Sequence, residues 1–282
     1  MQRLLLGISR AALRRHDAVV AIGDCMAARL TASGIDRSRI TVIPNWADPL
    51  IRPVDRSRNR FRADLGLGNR FTVAYSGNFG LAHPLDALLD TAAAMGRDAP
   101  DIAFLMIGEG RGYGRIESEV VRRKLTNVRL LPWQAPEQLA ESLGAADLHV
   151  AAMAEEATGL LVPSKIAGVL AAGRPCILLG SPNGTGGRLL RDHDCGVVVP
   201  PGDGAALAAS VRRFADDPPF WRASCDRASI AAARWHADAA AERFISLAAR
   251  LCRTASIPIP AGASQAKDMA VVTIAGNGNY RA

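Results

Sequence analysis

Short apolar runs alternate with amphipathic helical patterns through the middle of this 282-residue chain, and this alternation constrains the fold more than any other feature. Repetition of strand and helix is typical of a parallel sheet covered by helices on both faces. The predicted strands are Phe71–Tyr75, Ile102–Ile107, Val128–Leu131, Leu148–Ala151, Cys176–Leu179 and Val197–Val199. Helices are predicted around Pro84–Met95, Gly114–Lys124, Pro136–Leu143, Ser164–Ala172 and Gly186–Arg191, after Gly204, and near Ala231–Leu251. We therefore predict an α/β protein with a doubly wound parallel sheet.

The amino-acid composition indicates which classes of ligand this protein can bind. The chain is 49% apolar and 5% aromatic, and its formal net charge of +7 comes largely from arginine. Basic surfaces attract phosphorylated ligands or anionic membranes, although scattered arginine also serves simply as a solubilising surface. Because no aromatic residues are interleaved with the basic ones, we expect no nucleic-acid partner. Five cysteines without a Cys-x-x-Cys pair indicate buried thiols in a reducing compartment and no metal site.

The first 48 residues differ in kind from the rest. Asp17–Ile22 and Ile40–Ile43 are predicted as strands that flank a helix at Asp24–Ser33, with another helix before them. Residues 44–49, Pro-Asn-Trp-Ala-Asp-Pro, form a proline-bracketed linker. Two strands cannot bury a core alone, so this segment is expected to pack on something else. We divide the chain into residues 1–48, a sheet domain at 49–252, and a tail at 253–282 that is predicted to be disordered apart from a short strand at Ala270–Ile274.

One string near the middle of the chain carries a chemical signal. Pro163, Ser164 and Lys165 open an apolar helix that ends at Gly173, and Pro175 then leads into a strand. Ser164 is placed to cap the first helical turn, whose free N–H groups favour an anion. Lys165 adds a full positive charge there, so the string predicts an anion pocket, most simply for phosphate.

Glycine-rich loops follow two predicted strands. Ser76, Gly77 and Asn78 follow the first strand, where open α/β sheets bind ligands, and glycine lets the backbone approach a ligand closely. Gly108-Glu109-Gly110 follows the second strand without a proper dinucleotide fingerprint, so we expect no nicotinamide cofactor. A plain turn explains either loop equally well.

These strings, in this order, resemble the donor-binding half of family-four retaining glycosyltransferases, which have two facing Rossmann-like domains (the GT-B fold). The resemblance is closest to the branch with Pro-Ser-Lys followed by Ala-Ala-Gly-Arg-Pro. It also covers Cys195-Gly196-Val197-Val198-Val199-Pro200-Pro201-Gly202-Asp203. It implies a nucleotide-diphosphate sugar as donor substrate, no cofactor and no metal.

The resemblance also implies roles for individual residues. Lys165 would stabilise the leaving diphosphate, assisted by Ser164 and by backbone amides at Gly77 and Asn78. The implied donor-binding set is Ser76, Gly77, Asn78, His83, Gly108, Glu109, Gly110, Trp133, Gln134, Ser164 and Lys165. Trp133 has a core-facing position as its alternative.

The chain departs from the family pattern at the two family glutamates, where it has Leu160 or a neighbour and Gly168. Glu156 is either a substitute or a solvated loop acid. No catalytic residue beyond Lys165 is assigned.

Residues 1–48 resemble the end of the family's acceptor domain and its hinge, so most of that domain is expected to be missing. The leading hypothesis is sugar transfer to a glycan or polyprenyl-linked acceptor in cell-envelope polysaccharide assembly. The expected location is cytoplasmic, peripheral at the inner membrane face. One alternative is an incompetent fragment, or a module that pairs with a separate acceptor-domain chain and binds nucleotide-sugar without transfer. A lesser alternative is a sugar-nucleotide epimerase.

Overall fold

The structure, a computed structural model, describes residues 2–80, 82–233 and 235–254, with side chains from residue 7 to residue 253. It begins with α1 (Gln2–Arg15), β1 (Val19–Ala21), α2 (Asp24–Ala32) and β2 (Ile40–Val42). The strands β1 and β2 pair in parallel as a separate two-stranded sheet, with α2 as the crossover. The predicted strand–helix–strand segment is therefore confirmed, with shorter strands than predicted.

The main sheet contains six parallel strands. They are β3 (Phe71–Ser76), β4 (Ile102–Ile107), β5 (Val128–Leu131), β6 (Leu148–Ala152), β7 (Cys176–Leu179) and β8 (Gly196–Val199). Each observed boundary lies within one residue of the predicted one. The strand order is β5-β4-β3-β6-β7-β8, so strands are added in one direction from β3 to β5 and in the other from β6 to β8, and the order reverses between β3 and β6. This is the doubly wound order, and the reversal is the point at which such sheets bind ligands.

Helices cover both faces of this sheet. They are α3 (Arg60–Asp64), α4 (Asp86–Asp98), α5 (Tyr113–Arg122), α6 (Leu139–Gly144), α7 (Lys165–Ala171), α8 (Thr185–Asp192), α9 (Gly204–Asp216), α10 (Pro218–Ala232) and α11 (Ala237–Thr254). The apolar core lies between β3, β4 and β6 on one side and α4 and α9 on the other. All six residues of β4 are buried, as a central parallel strand requires. The α/β prediction is confirmed.

The helix predicted near Ala231–Leu251 is observed as α11, which begins six residues later than predicted. The preceding helix, α10, was not predicted, and it begins where Asp217 accepts a hydrogen bond from the Phe220 N–H at 3.0 Å. Asp-Pro-Pro is a helix start that we did not recognise. The last helix, α11, was expected to complete the main domain, but it also contacts the first sheet. It returns to the first sheet, where Arg250 donates to the Thr41 hydroxyl at 3.2 Å.

The linker after residue 43 runs along α7. Arg174, buried, donates to the carbonyl of Val54 at 3.0 Å. A side chain at Gly168 would lie 3.2 Å from Ile51, and Gly173 has φ +67, the left-handed conformation that ends α7. The Gly-x-x-x-x-Gly-Arg spacing therefore has a packing reason, since it fits the linker against the helix that carries Lys165.

A buried ion-pair cluster holds the residues that follow the linker. Asp147, 1% exposed, accepts a hydrogen bond from the Thr72 N–H at 2.8 Å and pairs with Arg62 at 3.3 Å and Arg56 at 3.2 Å. The Trp221 indole donates to the Asp147 carbonyl at 2.7 Å. These contacts join the start of β3, α3 and α10 at the end of the sheet opposite the ligand edge.

Within the described ranges, no helix combines the length and apolarity that crossing a bilayer requires. The predicted tail has α11 extending to Thr254, and the rest of it, with the predicted strand at Ala270–Ile274, lies outside the described residues.

Candidate functional site

The predicted site residues converge at the carboxyl edge of the main sheet, beside the reversal between β3 and β6. The first loop leaves β3 at Ser76 and continues through Gly77 and Asn78. Gly77 has φ +142, a conformation that L side chains rarely adopt. Its N–H donates to the Ile107 carbonyl at 2.9 Å, so this amide completes the sheet and is not free for a phosphate, contrary to our expectation. The Asn78 N–H makes no hydrogen bond within the described part of the chain.

The Gly108–Gly110 loop packs directly on this first loop. A Cβ atom at Gly108 would lie 2.1 Å from the Gly77 carbonyl oxygen, and one at Gly110 would lie 2.2 Å from the Asn78 Oδ1 atom. The Phe79 N–H also donates to the Glu109 carbonyl at 2.8 Å. Loop-to-loop contact is therefore a sufficient reason for both glycines, while the Glu109 side chain remains exposed.

Lys165 reaches this edge from the first turn of α7. Its Nζ atom is buried, has no hydrogen-bond partner among the described residues, and lies 3.7 Å from the centroid of the Tyr75 ring. A Cβ atom at Gly77 would lie 2.8 Å from Nζ, so the ammonium group fills the space that the glycine leaves open.

Burial lowers the pKa of Lys165 to about 7. The charge of Lys165 in the ligand-free protein therefore depends on pH near neutrality, whereas the sequence alone predicts a full positive charge. An ammonium group buried without an anion loses its hydration, and the contact with the Tyr75 ring offsets only part of that loss, so the neutral form competes.

His83 lies beside the same space. Its Nδ1 atom lies 2.6 Å from the Ala152 carbonyl oxygen, which can only accept, so Nδ1 carries the proton. Burial lowers the pKa of His83, and the nearby Lys165 lowers it further. Burial therefore favours the neutral imidazole, and with the proton on Nδ1 the Nε2 lone pair can act as an acceptor.

Three other predicted residues lie at the periphery. Trp133 is 58% exposed, which excludes its core-facing alternative. The Gln134 side chain donates to the Pro132 carbonyl at 2.7 Å. Glu156 is exposed in a short 3-10 turn and makes no ion pair within the described residues, while Leu160 is 53% exposed.

The predicted cap at Ser164 is wrong. Ser164 stands at the N-cap position of α7, but it has helical backbone angles and its side chain makes no capping hydrogen bond. A helix of seven residues without a cap adds little to the site. The charge of Lys165 is therefore the main chemical feature there.

The glycine-rich turn before α8 (residues 184–187) leads into a second helix start where an anion could bind, but the chain itself already contacts its Thr185 hydroxyl. The Cys25 Sγ atom lies 3.0 Å from the Thr185 hydroxyl at the first residue of α8. Burial raises the pKa of this thiol, but hydrogen bonds from Thr185, Gly159 and Met26 outweigh it, and the pKa lies below its ordinary value. This contact joins the first sheet to the main domain.

We expect Cys25 to be alkylated at neutral pH about tenfold faster than Cys176, Cys195 and Cys225, because the thiolate is the reactive form. Burial raises the pKa values of Cys176 and Cys195 to about 12 and that of Cys225 to about 11. Time-resolved iodoacetamide labelling with peptide mass spectrometry measures the rates. Thr185→Val should slow labelling at Cys25 alone, and equal rates at all four positions would contradict the prediction.

With this geometry established, the family assignment follows. Residues 70–217, more than half of the chain, match the family model of the glycosyl transferases group 1, and the chain belongs to this family. The fold agrees with structures of the GT-B class. HepE of Anabaena, in complex with UDP and glucose, superposes with a TM-score of 0.75 at 18% identity, covering 89% of this chain and 67% of HepE.

Curated relatives cover the same region. WcaI of Escherichia coli K12, named as a colanic acid biosynthesis glycosyl transferase, is 26% identical over 215 residues, which are 75% of this chain and 52% of WcaI. The D-inositol 3-phosphate glycosyltransferase of Nocardia farcinica is 33% identical over 174 residues, or 57% of this chain and 38% of that enzyme. The chain thus spans about half the length of these relatives or less.

Proposed function

We propose that this chain binds a nucleoside-diphosphate sugar and takes part in transfer of the sugar to an acceptor. The observation that carries the proposal is the Lys165 ammonium, buried and without a partner among the described residues, between the Tyr75 ring and Gly77 at the ligand edge of the sheet. A buried cation without an anion is costly, and a diphosphate ligand supplies that anion. The family supports the same ligand class.

The chemistry follows from where charge develops. When the bond between the anomeric carbon and the diphosphate oxygen breaks, negative charge grows on the leaving group. A preorganised cation in a site that excludes water stabilises that charge more than it stabilises the bound substrate. We assign this role to Lys165, with the Asn78 N–H as a further donor. His83, as a neutral acceptor, suits a donor hydroxyl better than a phosphate.

We infer UDP as the first nucleotide to test, because HepE is described in complex with UDP and glucose. The nucleoside would extend from the diphosphate toward the exposed edge formed by Ser76, the Gly108–Gly110 loop, Trp133 and Gln134. The proposal leaves Glu156 outside the donor contacts.

Finer assignments rest on the resemblance in sequence. We propose the family-four branch, a retaining reaction, and a glycan or polyprenyl-linked acceptor at the cytoplasmic membrane face. We also propose that residues 1–48 belong to the acceptor side and residues 49–252 to the donor side, which agrees with the two separate sheets. A second chain that supplies acceptor contacts is part of the same proposal.

Thermal melting against UDP, GDP, ADP and NAD tests the proposal. A ligand at about 100 times its dissociation constant adds roughly 2.7 kcal/mol to the unfolding free energy, which shifts the melting temperature by several degrees. We expect one nucleoside diphosphate to give this shift, and NAD to give none. A cooperative melt that no nucleotide shifts would contradict the proposal.

We expect donor affinity to fall as the pH rises above 7. The free lysine titrates near pH 7, and a bound diphosphate raises the pKa of Lys165 because the opposite charge favours the protonated form. Binding therefore takes up about half a proton at pH 7 and nearly a full proton by about pH 8.5. Affinity falls more than about tenfold between pH 7 and about pH 8.5, and it levels off only below about pH 6. Calorimetry with UDP-glucose measures the affinity at each pH, because the diphosphate of this ligand does not titrate in that range. Affinity that rises with pH would contradict the prediction.

A further inference from the structure

Tyr75 lies directly beneath the proposed donor site, and neither the sequence motifs nor the family assignment gives it a role. It is fully buried in β3. The face of its ring lies 3.7 Å from the Lys165 Nζ atom, and its hydroxyl donates to the Asn78 carbonyl at 2.6 Å. One side chain therefore contacts both the cation and the turn that carries the Asn78 N–H.

The other titratable groups around Lys165 are neutral. His83 in the first loop, His149 in β6 and Cys176 in β7 interact electrostatically with it. Burial lowers the pKa of His149 to about 4 and raises that of Cys176 to about 12, and burial also raises the pKa of the Tyr75 phenol. No carboxylate pairs with Lys165 within the described ranges. The negative face of the Tyr75 ring is the contact that favours the charged amine.

The residue type at position 165 is also informative. Of the 34 basic residues only three are lysines, Lys124, Lys165 and Lys267, and the others are arginines. Arginine stays protonated when buried, whereas lysine releases its proton readily. The protonation of a buried lysine such as Lys165 is thus sensitive to the aromatic ring that it contacts.

We propose that Tyr75 is a positioning residue for the donor diphosphate: its ring holds the Lys165 amine against Gly77, and its hydroxyl fixes the Asn78 carbonyl. The inference rests on the proposed function. The roles of the Tyr75 ring and of its hydroxyl can be tested separately, because a phenylalanine substitution keeps the ring and a leucine substitution removes both groups.

The ring is tested without any ligand. Protein labelled with [13Cε]lysine gives one methylene signal for each of the three lysines, and Lys165→Met identifies the Lys165 signal. From typical cation–π energies we expect Tyr75→Leu to lower the pKa of Lys165 by about one unit. Tyr75→Phe should leave it within a few tenths. An unchanged pKa in Tyr75→Leu would overturn the role of the ring.

The hydroxyl is tested by calorimetry with UDP-glucose at one pH. Tyr75→Phe should weaken binding about three- to tenfold, because the Asn78 turn loses its hydrogen bond. Wild-type affinity in Tyr75→Phe would overturn this part, and Tyr75→Phe is a conservative change should Tyr75→Leu fail to fold. If the wild type binds no nucleotide sugar, the proposed function fails and the donor role of Tyr75 with it. If the wild type binds and the variants match it, the inference alone fails.

Discussion

Replacing Lys165 by methionine is expected to weaken nucleoside-diphosphate binding by about 100-fold while raising the melting temperature of the ligand-free chain. A hydrogen-bonded ion pair with a phosphate is worth about 1.5–3 kcal/mol, and a buried one exceeds that. Methionine fills similar space, so the loss is mainly of charge. The same change removes an ammonium group that burial destabilises, because folding lowers the pKa of Lys165 from 10.5 to about 7.

The stability that the methionine variant gains over the wild type is expected to shrink as the pH rises. The unfolded chain holds the Lys165 proton more tightly than the folded chain, so the wild type becomes more stable as the pH rises from 7 toward 10.5. The methionine variant should melt about 2–4 °C higher at pH 7 and lose that part of the pH dependence. Lys124→Met is the matched control, since it removes the same charge from a position that is not buried. Weaker binding with a lower melting temperature would indicate a structural role and contradict this interpretation.

Gly108→Ala is expected to destabilise the chain by about 3 kcal/mol or more and to abolish donor binding. The Gly108 φ of +134 is strained for any L side chain, and the new Cβ atom would lie 2.1 Å from the Gly77 carbonyl oxygen. Backbone cannot move aside as a flexible side chain can. Relief of the clash would push the Gly77 turn, and that turn lines the site at Lys165.

The control uses the same substitution nearby. Gly114 is the second residue of α5, and a Cβ atom added there would meet no other described part of the chain within 4 Å. Gly114→Ala should stabilise the chain by about 0.5–1 kcal/mol through helix propensity and leave binding intact. Urea denaturation of both variants measures the difference. Equal stability of Gly108→Ala and the wild type would show that the two loops do not pack as described.

The main sheet could be predicted from the sequence because its signal is local. A run such as Ile102–Ile107 is apolar at every position, and only a strand buried on both faces suits it. The loops at the strand ends, and Lys165 at the start of α7, could be assigned to one edge for the same reason. Helix α10 was missed because the Asp217 cap was overlooked, although the Asp-Pro-Pro start was present in the sequence.

Other properties depended on residues far apart in the chain. Tyr75 is an ordinary core aromatic in sequence, and only packing brings its ring against Lys165, ninety positions later. The contact of Cys25 with Thr185 likewise joins α2 to α8, 160 positions later in the chain.

The sequence by itself determined the order of the strands and of most helices, and the type of cation at the ligand edge, because apolar periodicity and residue chemistry are properties of short segments. The tertiary structure alone decided how that cation behaves. Charge depends on hydration and on neighbours within a few ångströms, and these are set by contacts among β3, the loop after it and α7. The tertiary structure also decided that position 108 must be glycine, because a side chain is excluded there only when the Gly77 turn packs against it.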